Sequence, residues 1–239
     1  MKCFLTSSPV IADTNELNPA NGFLENLKAC TPNPCKAVFI CSNPVKYEST
    51  DRHAQAIKAI FESAGFAFHT FSVLDGRNEQ ESAELVQDAQ LLILAGGHVP
   101  TQNRFFAQIH LREQLRSFHG VLVGISAGSM NCAEIVYAHP ELEGEAVDPG
   151  YQKYLPGLGL TQKMILPHYQ MIKDDVLDGL RVMEEIAYPD SQGKQFYLLV
   201  DGSYLFIDKG AEKIFGEAYL LADGKLTQIS SLGDAVVLQ

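Results

Sequence analysis

The sequence has no long apolar run. Its apolar stretches, such as Leu91 to Ala95 and Val121 to Ile125, fall far short of the ~20 residues that cross a bilayer, so no membrane-spanning helix is expected. The N-terminus carries one Lys and then Cys3-Phe4-Leu5, broken at once by Thr6-Ser7-Ser8-Pro9. A signal peptide needs a continuous apolar segment there, so none is read. Positive charge is scarce: 18 Lys and Arg stand against 29 Asp and Glu, a net charge of -11. Nucleic acids and anionic membranes demand a basic footprint, and both are excluded as partners. Cysteine is sparse and unpatterned. Cys3, Cys30, Cys35, Cys41 and Cys132 form no CxxC pair and have no His at zinc spacing, so neither a metal site nor a disulfide framework is expected. Reduced thiols in a cytoplasmic protein are the plain expectation. No internal repeat or low-complexity tract occurs.

What is present is the composition of a folded chain, with 46% hydrophobic and 20% charged residues over 239 positions, a length that suits one α/β domain spanning 1–239. Short apolar runs alternate with segments of helical period. Strands are expected at 37–41, 66–73, 91–95 and 121–125, with helices at 51–64 (stopped by Gly65), 79–88 and 101–118. Strands apolar throughout and separated by helices predict a mostly parallel sheet with helices on both faces. The C-terminal part changes character. Runs at 196–200, 203–207, 213–215 and 225–229 are punctuated by Asp201-Gly202, Lys209-Gly210 and Asp223-Gly224, which are hairpin signals for an antiparallel extension. The stretch 138–159 is the longest irregular one and is expected to shape or gate a pocket.

Gly124-Ile125-Ser126-Ala127-Gly128 fits G-x-S-x-G, with an apolar strand leading in and a helix-capable segment, 127–138, leading out. A Ser on so sharp a turn is held in strained backbone geometry, and its flanks must be small. The N–H of Ala127, at a helix start, is then placed to stabilise an oxyanion. The bland alternative is a glycine-containing turn with Ser as a helix cap. Gly96-Gly97, after another parallel strand, could supply a second oxyanion donor, although taken alone the pair is better explained as a tight turn without a ligand. For a base, His168 follows Met164-Ile165-Leu166-Pro167, a short apolar strand, and so lies at a strand exit, where catalytic residues of parallel sheets gather. His98, beside the double glycine, is its rival.

Chain order separates folds. α/β-Hydrolases place their His late, after the acid, whereas here no His follows His168. Class I glutamine amidotransferases place Glu two residues after the His and use Cys as nucleophile. Here Gln170 and Ser126 occupy those places, which argues against amidotransfer.

L-I-L-A-G-G at 92–97, G-I-S-A-G-S at 124–129, P-G-L-G-L at 156–160 and L-P-H at 166–168 together resemble the peptidase E family, the S51 serine peptidases that include aspartyl dipeptidases and cyanophycinases. The resemblance covers roughly residues 1–208. It implies a class I glutamine amidotransferase-like α/β fold, Ser126 as nucleophile, His168 as base, an oxyanion hole from the N–H groups of Gly97 and Ala127, and a homodimer. The family acid follows the His by a few tens of residues at a strand end. Asp201 resembles that place, with Glu141 the alternative. The chain departs from the aspartyl dipeptidases in one respect: no Arg stands in register after His168 to pair with a substrate Asp carboxylate. Lys173 and Arg181 are the only cations nearby, so Asp specificity is not expected. Asp174-Asp175 and Glu184-Glu185 are read as the solvated face of a helix, and Tyr151 and Tyr169 as pocket candidates or ordinary tyrosines.

The expectation is therefore a serine hydrolase, a peptidase E-like exopeptidase or dipeptidase that cleaves a small peptide or amide without a cofactor. A non-catalytic small-ligand-binding protein on the same fold and an esterase using the same triad stay open as alternatives.

Overall fold

Strands apolar at every position must be covered on both sides, and the chain meets this with a central sheet clothed by helices. The computed structural model describes residues 1–12 and 14–238. Its largest sheet runs, in spatial order, Ala235–Leu238, Ala211–Phe215, Tyr204–Asp208, Lys2–Thr6, Val121–Ile125, Leu91–Leu94, Cys35–Ile40 and Phe68–Leu74. From Lys2–Thr6 to Phe68–Leu74 the strands are parallel, and the other three are antiparallel additions. Successive residues serve opposite faces. Phe4, Phe39, Ile93 and Val123 pack in one apolar layer with Ala54, Ile60 and Phe61 of the helix Tyr47–Ser63. Leu5, Ile40, Leu94 and Leu122 pack in the other with Phe105 and Phe106 of the helix Val99–Gln108.

A second sheet orders Met164–Leu166, Gln195–Leu199, Ala218–Ala222 and Lys225–Ser230, the first two strands parallel and the rest antiparallel. Ile165, Tyr197 and Leu199 join the layer that holds Leu5 and Leu122, so this sheet docks on the central one. Leu166, Phe196 and Leu198 build a third apolar cluster with Met130, Tyr137 and Met183. Among the described residues no helix is long and apolar enough to cross a membrane.

Several expectations change in detail. The helix expected over 101–118 divides into Val99–Gln108 and Leu111–Gln114, because His110 takes a left-handed conformation with φ 53. The helix after Ser126 stops at Met130, and Ile135–Tyr137, β-branched at its first two positions, pairs instead with Tyr154–Pro156. The stretch 138–159 is thus the excursion of a short hairpin together with its return strand. Asp174-Asp175 do not lie on a helix: they precede a tight hairpin of Val176–Leu177 with Leu180–Arg181, and Glu184-Glu185 sit on a π-helical turn, Val182–Ala187. Lys209-Gly210 and Asp223-Gly224 do close hairpins. Asp201-Gly202 does not. The strands on either side of it, Gln195–Leu199 and Tyr204–Asp208, belong to different sheets, and Asp201 lies on the crossing between them.

Candidate active site

In parallel sheets, the strand ends where the carboxyl groups point form the crevice in which ligands bind. Residues just beyond several such ends meet here: Ser7 after Lys2–Thr6, Gly96-Gly97 after Leu91–Leu94, Ser126 after Val121–Ile125, His168 after Met164–Leu166, and Asp201 after Gln195–Leu199.

Ser126 has φ 50 and ψ -110, a backbone state that L-residues rarely adopt. The surroundings enforce it. The Ser126 N–H donates to the carbonyls of Thr6 at 3.1 Å and Ser7 at 3.2 Å, which pins the turn to the neighbouring strand. Both flanking glycines are steric necessities: a Cβ on Gly124 would lie 2.8 Å from Ser129 Oγ, and one on Gly128 would lie 2.5 Å from the Leu94 carbonyl oxygen. Gly128→Ala is therefore expected to cost roughly 2 kcal/mol through overpacking against backbone. Differential scanning calorimetry should then show Tm falling by roughly 4–8 °C for a chain of this size. An unchanged Tm would mean that the elbow can relax without loss.

His168 Nε2 lies 2.9 Å from Ser126 Oγ, and His168 Nδ1 lies 2.7 Å from Asp201 Oδ1. His168 is itself left-handed, with φ 58, and its backbone N–H donates to Ser7 Oγ at 2.8 Å. The Ser7 hydroxyl in turn donates to Asp201 Oδ1 at 2.6 Å. Burial alone would raise the Asp201 carboxyl. The hydrogen bonds from His168 and Ser7 outweigh burial and hold it below the usual carboxylate range. A depressed carboxyl stabilises the fold above its unfolded-state pKa, and that contribution is lost as pH falls through the folded-state value. Asp201 is thus ionised throughout the neutral range.

The other sequence candidates lie elsewhere. Glu141 is not the residue that meets His168 Nδ1; its Oε1 stands 4.0 Å from His139 Nδ1. Burial, and then the neighbouring Glu145, push its carboxyl up to about 8. His98 bonds through Nδ1 to Thr101 Oγ1 at 2.8 Å and through Nε2 to Glu145 Oε1 at 2.9 Å, away from Ser126. Gly97 has φ 148, and a Cβ there would strike the Ser42 side chain, so the glycine is required. It lines one cavity with Ser126 and His168. Ala127 opens its helix, so its N–H has no acceptor within that helix. The helix, Ala127–Met130, is a single turn, so the donor matters here and the macrodipole contributes little. The Tyr169 ring meets Tyr219 at a tilt of 48° with centroids 4.6 Å apart, and the Tyr151 hydroxyl donates to the His139 carbonyl at 3.4 Å. Lys173 and Arg181 turn to Asp174, Glu184 and Glu185. Burial pushes the Cys3 and Cys41 thiols up to about 12, so neither supplies a thiolate nucleophile.

The model of peptidase family S51 matches residues 3–214. The chain belongs to this family. It is a serine peptidase by that membership. No curated protein matches the chain. Among solved structures, it resembles a peptidase from an acI-B1 Actinobacterium with a TM-score of 0.68 at 16% identity, over 99% of this chain and 96% of the other. A candidate peptidase E protein from Listeria monocytogenes EGD-e gives 0.59 at 17% identity, over 96% of this chain and 98% of the other. At such identities the likeness is one of fold.

Two residues of this S51 peptidase's site escape sequence reasoning. Ser7 bridges Asp201 and the His168 backbone; the signal for it was a short apolar run ending in small polar residues, the pattern of a strand exit. Gln170 stands where an amidotransferase has its Glu, and its Oε1 accepts the Asp201 backbone N–H at 3.1 Å. It therefore helps hold Asp201 in place. Ser7→Ala removes one donor from the Asp201 carboxylate. A loss of ~10-fold in kcat with KM nearly unchanged is expected, that being the worth of one buried bond to a charged group. Ser7→Thr, which keeps a hydroxyl, should restore much of that kcat. A loss that Ser7→Thr does not restore, or one carried mainly by KM, would make Ser7 a packing residue only.

Proposed function

We propose that this S51 peptidase hydrolyses the amide bond of a small peptide, as an exopeptidase or dipeptidase, with Ser126 as nucleophile, His168 as base and Asp201 as orienting acid. Ser126 Oγ attacks the scissile carbonyl while His168 Nε2 takes its proton. The N–H groups of Gly97 and Ala127 hold the tetrahedral oxyanion, and the imidazolium then protonates the leaving amine. A water, deprotonated by the same imidazole, releases the acyl group and restores Ser126. The ionised Asp201 keeps the His168 proton on Nδ1, so that Nε2 faces the hydroxyl. The observation that carries this reading is the unbroken chain from Ser126 Oγ through His168 to Asp201, at 2.9 and 2.7 Å, on a backbone strained at the serine.

The test is a panel of unblocked dipeptides and matched amino-acid methyl esters, with free products quantified by mass spectrometry and Ser126→Ala as the blank. Release of amino acids from dipeptides by the wild type alone is the expected result. Cleavage confined to esters would replace the peptidase reading by an esterase one, and no cleavage of any panel member would count against hydrolysis of small peptides.

A further inference from the structure

The cavity beside Ser126, about 500 Å³, is lined by Glu141 and Asp175 as well as by His139 and His168, and among the described residues no Lys or Arg lines it. A desolvated substrate carboxylate would find no cation there. The reverse charge is the one the cavity lacks. Glu141 lies beside the Val99 backbone N–H, at the start of the helix Val99–Gln108, and its side chain is 26% exposed. Facing its Oε1 at 4.0 Å is Nδ1 of His139, whose side chain is only 8% exposed and whose Nδ1 has no hydrogen-bond partner among the described residues. Burial, chiefly, holds His139 down to about 4, so it is neutral and offers Glu141 no counter-charge. With the ring proton on Nε2, Nδ1 is an acceptor.

Nδ1 itself is fully enclosed, so the group that can meet a guest in the cavity is the part-exposed Glu141 carboxyl. A carboxyl whose charged form is destabilised by burial, beside an imidazole that is neutral, is stabilised by a cationic guest. We infer that Glu141, backed by the neutral His139, forms the subsite for a substrate ammonium group, which donates an N–H to the Glu141 carboxylate. The inference rests on Ser126 being the nucleophile, since the subsite opens on the same cavity. The ammonium is either the free α-amino group of the peptide or a lysine side chain, and the two share this chemistry. Next to it, Ile172 and Val182 give the cavity an apolar wall suited to an aliphatic side chain.

The experiment follows the rate at which a fluorophosphonate labels Ser126 with increasing leucinamide, Nα-acetyl-leucinamide or Nα-acetyl-lysinamide. Each protein is normalised to its own rate without competitor. For the wild type, leucinamide or Nα-acetyl-lysinamide should protect at concentrations ~10-fold lower than Nα-acetyl-leucinamide, the worth of one charge-assisted hydrogen bond. Whichever of the two protects identifies the ammonium as α-amino or side-chain. In Glu141→Gln that discrimination should vanish, and in Glu141→Asp, which keeps the charge should the Gln variant not fold, it should persist in part. Equal protection by all three compounds in the wild type, or full discrimination in Glu141→Gln, would overturn the subsite while leaving Ser126 as nucleophile. A folded wild type that takes no label removes the nucleophile itself and the subsite with it.

Discussion

Ser126→Ala is expected to lower kcat on a cleaved dipeptide by a factor on the order of 10⁴–10⁶, and His168→Ala by a similar factor, with KM changing little. The double variant should lose no more than either single one. Nucleophile and base act as a unit: a serine hydroxyl without its proton acceptor is a poor nucleophile, and the imidazole has nothing to activate once the hydroxyl is gone. The activity left over should come from substrate binding and from the N–H groups of Gly97 and Ala127. Steady-state kinetics on the four proteins decides the matter. Losses that multiply, or a Ser126→Ala enzyme within 100-fold of wild type, would show that the two side chains do not share one proton transfer.

Asp201→Asn should come next in size, with kcat down by about 10⁴. The carboxylate does two things that an amide cannot do together. In the proposed mechanism it accepts the Nδ1–H of His168 and so fixes the tautomer, and its charge stabilises the imidazolium that forms during attack. The same oxygen also receives the Ser7 hydroxyl, so the amide would have to meet two donors with one neutral acceptor. Because Asp201 is held below the ordinary carboxylate range, the wild type should lose no activity through titration of this acid between about pH 6 and 9. Comparing kcat for Asp201→Asn and Glu141→Gln on one substrate checks the assignment. A 10⁴-fold loss in Glu141→Gln with a near-normal Asp201→Asn would transfer the orienting role to Glu141.

Much of the site is legible because its residues are fixed by sterics within one turn and the strand beside it. Gly124 and Gly128 are dictated by atoms within one strand–turn–helix unit or on the adjoining strand, so the elbow can be read from a short motif. His168 is legible for a related reason: an apolar strand closed by Pro167 announces its own exit. Asp201-Gly202 shows where such reading ends. Its local signal is the same as that of Asp223-Gly224, and only the choice of strand partners separates a hairpin turn from a crossing between two sheets. That choice is tertiary. The strand Lys2–Thr6 was hidden because its apolar core is brief, yet it lies centrally in the large sheet and delivers Ser7. His110, whose left-handed backbone divides the helix expected over 101–118, carries no local signal at all. The wall formed by His139 and Glu141 comes from a loop excursion, whose path over the cavity is set by packing rather than by periodicity.

The measurement that bears most directly on Ser126 and His168 is intact-mass spectrometry after exposure to a fluorophosphonate probe, with peptide mapping of the adduct. Wild type should gain one probe mass, at Ser126. Ser126→Ala should gain none, and His168→Ala should label far more slowly. A folded wild type that takes up no probe, or an adduct mapped to any other residue, would contradict an activated serine at the end of Val121–Ile125.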